Sequence, residues 1–224
     1  SVEKVPSFGV PTAILVDVSG SMRQAPVTGN RGSATSVVKC IDAAALIGAA
    51  FARRNPGSVL FPVDERVHDA SHMNLRDSIA TVSTQLRSFG GGGTALGAGI
   101  RHLNAIGHKG GVVVLISDME SWADTNGWQG GGTSVAQEFA AYRARNPGAK
   151  LVCLNLQAET SQQAQSNGHQ LNLGGFSDAV FPVIERFVRG QVLDVEGPYK
   201  AADASAWVRE IRAVDLVGTR VPRE

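Results

Sequence analysis

The sequence predicts a doubly wound α/β fold, in which a mainly parallel sheet is flanked by helices on both faces. Apolar runs without polar alternation recur along the chain, and strands that are apolar on both faces are typical of covered parallel sheets. Segments with helical spacing separate these runs, and such an alternation favours right-handed crossovers between parallel strands. The 224 residues, of which 43% are hydrophobic, suffice for one domain with a full core.

The elements follow in order from local patterns. Strands are predicted at about residues 12–17, 58–63, 111–117 and 151–156. Helices are predicted at about 36–53, 74–89, 94–106, 134–145 and 177–189, and Asn-Pro-Gly stretches end the first and the fourth of them. We expect Asn74 to cap the second helix.

The last part of the chain is less regular. Residues 1–190 are predicted to form the domain, and 191–224 a C-terminal extension with one helix at about 203–214. Because the chain begins at Ser1 rather than Met, we expect it to be a piece of a longer protein.

Composition argues against several function classes. The formal net charge of +1 gives no overall attraction to nucleic acid or to a membrane surface. No apolar run approaches the roughly 18 residues that a membrane span needs, and no signal peptide opens the sequence. Cys40 and Cys153 both lie in apolar surroundings, and two buried thiols favour a reducing compartment. We therefore expect a cytoplasmic protein without a membrane partner.

Carboxylates and hydroxyls follow two of the predicted strands and a glycine-rich loop. They are Asp17, Ser19, Ser21, Thr94 and Asp118. If the chain stays extended past the first strand, alternate positions point the same way. Ligands of doubly wound folds bind outside the carboxyl ends of the strands, where both aspartates are expected. The sequence therefore predicts one metal site built from these five side chains.

The donor atoms of this set are all oxygens, which narrows the choice of ion. Mg²⁺ and Mn²⁺ take oxygen ligands in near-octahedral geometry and keep open positions for water or a partner. Ca²⁺ uses the same oxygens with looser spacing, so the sequence does not choose among the three ions.

The pattern resembles a known family. Asp-x-Ser-x-Ser at 17–21, Gly-Gly-Gly-Thr at 91–94 and Asp118 at the end of a later strand are similar to the metal-ion-dependent adhesion site of von Willebrand factor A domains. The resemblance implies that the two serines and the threonine ligate the ion directly. It implies that the aspartates ligate directly or through water, and that a partner's carboxylate completes the coordination.

A narrower resemblance concerns the A domain of Ro autoantigen proteins. It rests on the stretches 91–94, 113–121, 149–156 and 174–178, and Glu120 matches an Asp-x-Glu pattern associated with that family. Ro proteins bind small non-coding RNAs and misfolded RNA through an upstream ring of helical repeats, which these 224 residues do not contain. The resemblance implies a ribonucleoprotein domain whose ion captures an anionic group of a protein or RNA partner.

Four further residues are candidates for ligand binding. Glu120 opens a long glycine-rich loop that carries Trp122 and Trp128, and indole rings in such a loop stack on bases or fill a partner's pocket. Arg23 leaves the first motif and would attract phosphate or carboxylate to the ion. Local packing of the two rings and an ordinary solvated arginine remain open alternatives.

Two other function classes compete with this interpretation. One is a cytosolic scaffold A domain, whose ion mediates assembly of a protein complex without RNA. The other is a metal-dependent phosphohydrolase with Asp17 as phosphoryl acceptor, which would want a second acid where the chain has Ser19. No Ser-His-Asp or Cys-His set is apparent in the sequence, so we expect a non-catalytic domain. Oligomeric state is not predicted.

Overall fold

The structure is a computed structural model that describes residues 2–27, 38–118, 135–157, 168–175 and 180–190, and every structural statement below concerns these residues. They contain a five-stranded sheet in the order β2-β1-β3-β4-β5, in which all neighbouring strands are parallel. The strands are β1 Thr12–Asp17, β2 Val59–Val63, β3 Val112–Ser117, β4 Lys150–Asn155 and β5 Gln170–Gly174. The predicted doubly wound α/β fold is confirmed.

Helices cover both faces of the sheet. They are α1 Gly20–Gln24, α2 Cys40–Arg54, α3 Ile79–Arg87, α4 Gly97–Ala105, α5 Val135–Arg145 and α6 Val180–Val188, and a 3-10 turn at Val2–Lys4 precedes them. One apolar cluster joins α2, α3 and α6 to one face, and a second joins α4 and α5 to the other. None of these helices is long and apolar enough to cross a membrane.

The central strands have no solvent-facing side. Every residue of β1 and of β3 is buried. Along β1, Ile14 and Val16 contribute to one apolar cluster and Ala13 and Leu15 to the other, as successive side chains of a strand point to opposite faces. A Cβ atom at Gly48 of α2 would lie 2.6 Å from Val16, so glycine permits the helix to pack closely on the sheet.

The start of α3 differs from the prediction. Its N-cap is Ser78, whose hydroxyl accepts a hydrogen bond from the Thr81 amide. Asn74 instead donates its side-chain amide to the Asp77 carboxylate in a preceding turn, at 2.8 Å. The prediction was wrong because short polar side chains compete for backbone and side-chain partners outside the helix as well as at its cap.

Strand β5 is one of the elements that the sequence analysis missed. Only Leu171 and Leu173 of its five residues are buried, because β4 is its one partner among the described strands and β5 forms an edge of their sheet. The other edge is β2, in which Pro62 stands opposite Val16 of β1. Beyond β2 the chain turns back, and Val67 forms an antiparallel bridge with Val63.

Cys40 and Cys153 are both buried, as predicted, and they contribute to different apolar clusters. The predicted extension at 191–224 and its helix lie outside the described residues.

Candidate metal centre

The strand order sets the place of the site. β1 lies beside β3, while the chain continues from β1 to β2 on one side and from β3 to β4 on the other. Ligands of open α/β sheets bind at such a switch point, outside the carboxyl ends of the strands. Asp17 is the last residue of β1 and Asp118 follows β3, and these side chains are only 0% and 3% exposed. Both predicted carboxylates therefore lie at the switch point.

The carboxylate of Asp17 is held on both oxygens. Oδ1 accepts a hydrogen bond from the Ser19 amide at 2.9 Å, and Oδ2 accepts one from the Ser117 hydroxyl at 2.5 Å. Burial raises the pKa of Asp17 to about 6; the bonds from Ser117 and Ser19 oppose that rise, and the nearby charge of Asp118 adds to it. The hydrogen bonds thus orient the Asp17 side chain, while burial and the neighbouring Asp118 disfavour its ionised form in the absence of a cation.

Ser117 is a site residue that the sequence analysis did not single out. It ends β3 and lies 100 positions from Asp17, so only the pairing of β1 with β3 brings the two together. The one sequence signal was a hydroxyl directly before Asp118 at the end of an apolar strand.

The sequence analysis assumed that the chain stays extended through the first motif, from Asp17 to Ser21. The structure shows a helix beginning there instead. Ser19 is the N-cap of α1, which begins at Gly20. That assumption was wrong because only Val18 and Ser19 separate the end of β1 from the start of the helix. The hydroxyls of Ser19 and Ser21 nevertheless lie 3.1 Å apart, so the cap and the first turn of a helix bring them together.

The glycine loop packs against this first motif. The Gly91 amide donates to the Val18 carbonyl at 2.8 Å, and the Gly20 amide donates to the Gly92 carbonyl at 2.8 Å. Gly90 has a φ of +75°, and a Cβ atom there would lie 2.3 Å from the Val18 carbonyl oxygen. Only glycine fits this approach. Thr94 follows the loop and is half-buried.

Two neighbours of the predicted donors tie α1 to the rest of the site. The Asp118 amide donates to the sulfur of Met22, which is fully buried, at 3.1 Å. Arg23 donates from Nη2 to the Arg87 carbonyl at 3.0 Å and to the Phe89 carbonyl. Arg23 therefore contacts the segment that leads into the glycine loop, and its predicted role in ligand binding stays a prediction.

The remaining ligand-binding candidates, Glu120, Trp122 and Trp128, lie outside the described residues. Within those residues no group of three or more His, Cys, Asp or Glu side chains is placed to hold a metal ion. A cation at this edge would depend on hydroxyls beside the two aspartates. Two buried carboxylates that repel each other, next to a pair of hydroxyls, fit a hard divalent ion.

A parallel sheet of this order, with Asp-x-Ser-x-Ser starting at the last residue of β1 and an aspartate directly after β3, defines a von Willebrand factor A-type domain. The match to a protein family is more specific. The chain belongs to the Ro60 vWA domain family, whose model matches residues 12–188. The predicted resemblance to Ro proteins is confirmed.

A solved structure supports the same fold. The Ro (RSR) protein of Deinococcus radiodurans matches with a TM-score of 0.66 and 19% sequence identity, over 85% of this chain. The chain spans 36% of the length of that protein. No curated protein matches the sequence significantly.

Proposed function

We propose that this domain is a non-catalytic, divalent-metal-dependent binding module of a Ro-like ribonucleoprotein. In this proposal one cation is held by five side chains and captures an anionic group of an RNA or protein partner. The five are Asp17, Ser19, Ser21, Thr94 and Asp118. The observation that carries the proposal is the pair of buried carboxylates beside two converging hydroxyls at the switch point of the sheet.

The ion would supply a positive charge with an open coordination position at this edge. The residues of the chain prepare for it in three ways. Ser117 and the Ser19 amide orient Asp17, the N-cap of α1 sets the two serine hydroxyls side by side, and the Met22 sulfur holds the Asp118 amide. Three of the five ligands are neutral hydroxyls, and an aspartate that ligates through water offsets the charge of the ion less than a direct ligand does, so the ion would keep its attraction for an external anion.

Binding is favoured over catalysis by the residues that follow Asp17. A phosphoryl-accepting aspartate of this kind would want a second acid two positions later, where the chain has Ser19, the N-cap of α1. Membership of the Ro60 vWA family favours RNA as the source of the anionic group, and a phosphate is the group it would present.

The proposal is tested with the whole chain and a fluorescent single-stranded RNA at physiological salt. Titration in Mn²⁺ and then in chelator is compared between the wild type, Asp17→Ala and the control Asp69→Ala, which removes an exposed carboxylate. We expect Mn²⁺-dependent binding that is weakened more than about a hundredfold in Asp17→Ala, since even changes beyond the ligands cost 10–100-fold in metal affinity. Asp69→Ala should bind as the wild type does.

Two other results have different meanings. If calorimetry shows that Mn²⁺ binds and RNA does not, the anionic group belongs to a protein, and the same titration is repeated with an acidic peptide. If Asp17→Ala keeps its Mn²⁺-dependent binding, the assignment of the site is wrong.

A further inference from the structure

The turn after β2 contacts the glycine loop, which also packs against the first motif. We propose that Asp64 in this turn is a positioning residue, which holds the glycine loop so that Thr94 is placed for the cation. The inference rests on the proposed cation site and extends it, since Asp64 is not one of the five ligands.

Asp64 forms hydrogen bonds on both sides of Thr94 along the chain. Its carboxylate Oδ2 accepts from the Gly92 amide at 3.3 Å, and its backbone carbonyl accepts from the Ala95 amide at 2.9 Å. Asp64 itself is only 5% exposed, and its bond to Gly92 is partly buried. Both backbone segments that flank Thr94 are therefore attached to one buried residue.

The carboxylate of Asp64 is itself fixed. Oδ1 accepts from the Arg66 amide at 3.2 Å and lies 2.9 Å from Nε2 of His68. Burial acts to raise the pKa of Asp64, but the bonds from His68, Arg66 and Gly92 outweigh it, and the pKa lies below its ordinary value. The group is thus an ionised acceptor at neutral pH, and charged acceptors form the stronger hydrogen bonds.

Glu65 makes a similar contact in a more exposed position. Its Oε1 accepts from the Gly93 amide at 2.9 Å, and a Cβ atom at Gly93 would lie 2.8 Å from that oxygen. Glu65 is exposed, so its long side chain moves at little cost and its bond competes with water. Of the two acids, Asp64 is the one that fixes the loop.

The sheet does not require this side chain. The pairing of β1 with β2 ends at Val63, one residue before Asp64, and the Val18 amide donates to the Val63 carbonyl at 2.8 Å. A change confined to the Asp64 carboxylate therefore leaves the ladder of backbone bonds in place and acts on the glycine loop.

The test uses Mn²⁺ alone as the probe of the whole chain. Affinity is measured from the electron paramagnetic resonance signal of the free ion, and loop order from amide hydrogen exchange of Gly92 and Ala95 in chelator. The variants are Asp64→Asn, Glu65→Gln and Glu65→Ala, with Asp69→Asn as the control for charge, since Asp69 bonds to Ser71 in the same segment.

Asp64→Asn should weaken Mn²⁺ binding about tenfold, as is usual for residues that support metal ligands. The asparagine side chain has one acceptor oxygen, which cannot accept from both the Arg66 amide and the Gly92 amide. Hydrogen exchange of the loop amides should therefore accelerate. Glu65→Gln keeps an acceptor oxygen and should bind Mn²⁺ as the wild type does. Glu65→Ala should bind Mn²⁺ slightly more weakly than Glu65→Gln, and Asp69→Asn should change neither Mn²⁺ affinity nor loop exchange.

Unchanged loop exchange in Asp64→Asn overturns the proposal, and so does an equal loss of affinity in Asp69→Asn. Should Asp64→Asn fail to fold, Gly92→Ala takes its place in the same measurements. Its Cβ atom would lie 3.1 Å from Oδ2 of Asp64, so it should push the loop away from an intact carboxylate. If the wild-type protein does not bind Mn²⁺, the proposed cation site is wrong. The exchange data in chelator then still test whether Asp64 holds the glycine loop.

Discussion

The two ends of the sheet both contain buried polar side chains, but they use them differently. At the amino end, the Tyr142 hydroxyl donates to the Gly110 carbonyl at 3.2 Å and lies 2.9 Å from Nδ1 of His108. The Asn146 side chain accepts from the Gly110 amide and donates to the carbonyls of His108 and Tyr142. At the carboxyl end, Asp17 accepts two hydrogen bonds while its charge is opposed by burial and by Asp118.

The pKa shifts show the difference. Burial raises the pKa of Tyr142 to about 12 and lowers that of His108, so both groups at the amino end stay neutral at pH 7. At the carboxyl end, burial also favours the neutral form of Asp17, but the hydrogen bonds from Ser117 and Ser19 favour the charged form. The amino end is a neutral, partly buried hydrogen-bond network, whereas the carboxyl end holds a carboxylate whose charge a cation would balance.

The largest expected effect concerns Asp17→Asn in chelator. The wild-type pKa rises from 3.8 in the unfolded reference to about 6 in the folded protein. Above pH 6 the ionised Asp17 therefore lowers the free energy of unfolding of the wild type. The variant has no such charge and should be more stable at pH 8 by about 3 kcal/mol, at 1.36 kcal/mol per unit of pKa. This advantage should shrink as the pH falls toward 4.

Urea unfolding at several pH values measures this difference. Added Mn²⁺ should reverse the order of the two proteins, since an ion that binds only the folded wild type stabilises it by mass action. A variant that is no more stable than the wild type in chelator at pH 8 would show that the ionised Asp17 does not destabilise the folded protein.

The next effect tests the amino end. Tyr142→Phe removes the hydroxyl and leaves the Gly110 carbonyl without that donor, so stability should fall by about 1–2 kcal/mol. Mn²⁺ affinity, measured by calorimetry, should equal that of the wild type. A loss of metal affinity in this variant would contradict the separation of the two ends.

The smallest effect is a dependence on pH of opposite sign. Because burial lowers the pKa of His108 below 6.5, its contribution to stability is present above that value and is lost as the pH falls through the folded-state pKa. His108→Gln, which does not titrate, should therefore gain on the wild type between pH 7 and pH 5. Thermal unfolding midpoints across this range report it, and parallel curves for the two proteins would exclude a titration at His108.

Much of the architecture could be predicted because it depends on local patterns. β1 is apolar from Ala13 to Val16 and β3 from Val112 to Ile116. The predicted stop at Asn55 corresponds to a real cap, whose side chain donates to the Phe51 carbonyl. The edge strand β5 has only two buried leucines, and so short an alternation has no distinctive signal.

The site divides in the same way. Asp17 and Asp118 were recognisable because each follows an apolar strand. Ser117 and Asp64 were not, because their partners lie 100 and 28 positions away and no local pattern connects them. The helix at Gly20 also escaped prediction, since five residues without a side-chain cap provide too little periodicity to detect.

The edge strand β2 has a consequence for association between molecules. A strand at the edge of a sheet offers unpaired amides and carbonyls to other chains, which is a route to aggregation. Pro62 has no amide to offer, and its outward carbonyl already accepts from the His68 amide at 2.9 Å. The returning segment with its bridge from Val67 to Val63 occupies the same edge. The turn that carries Asp64 thus also blocks this edge from pairing with a strand of a second molecule.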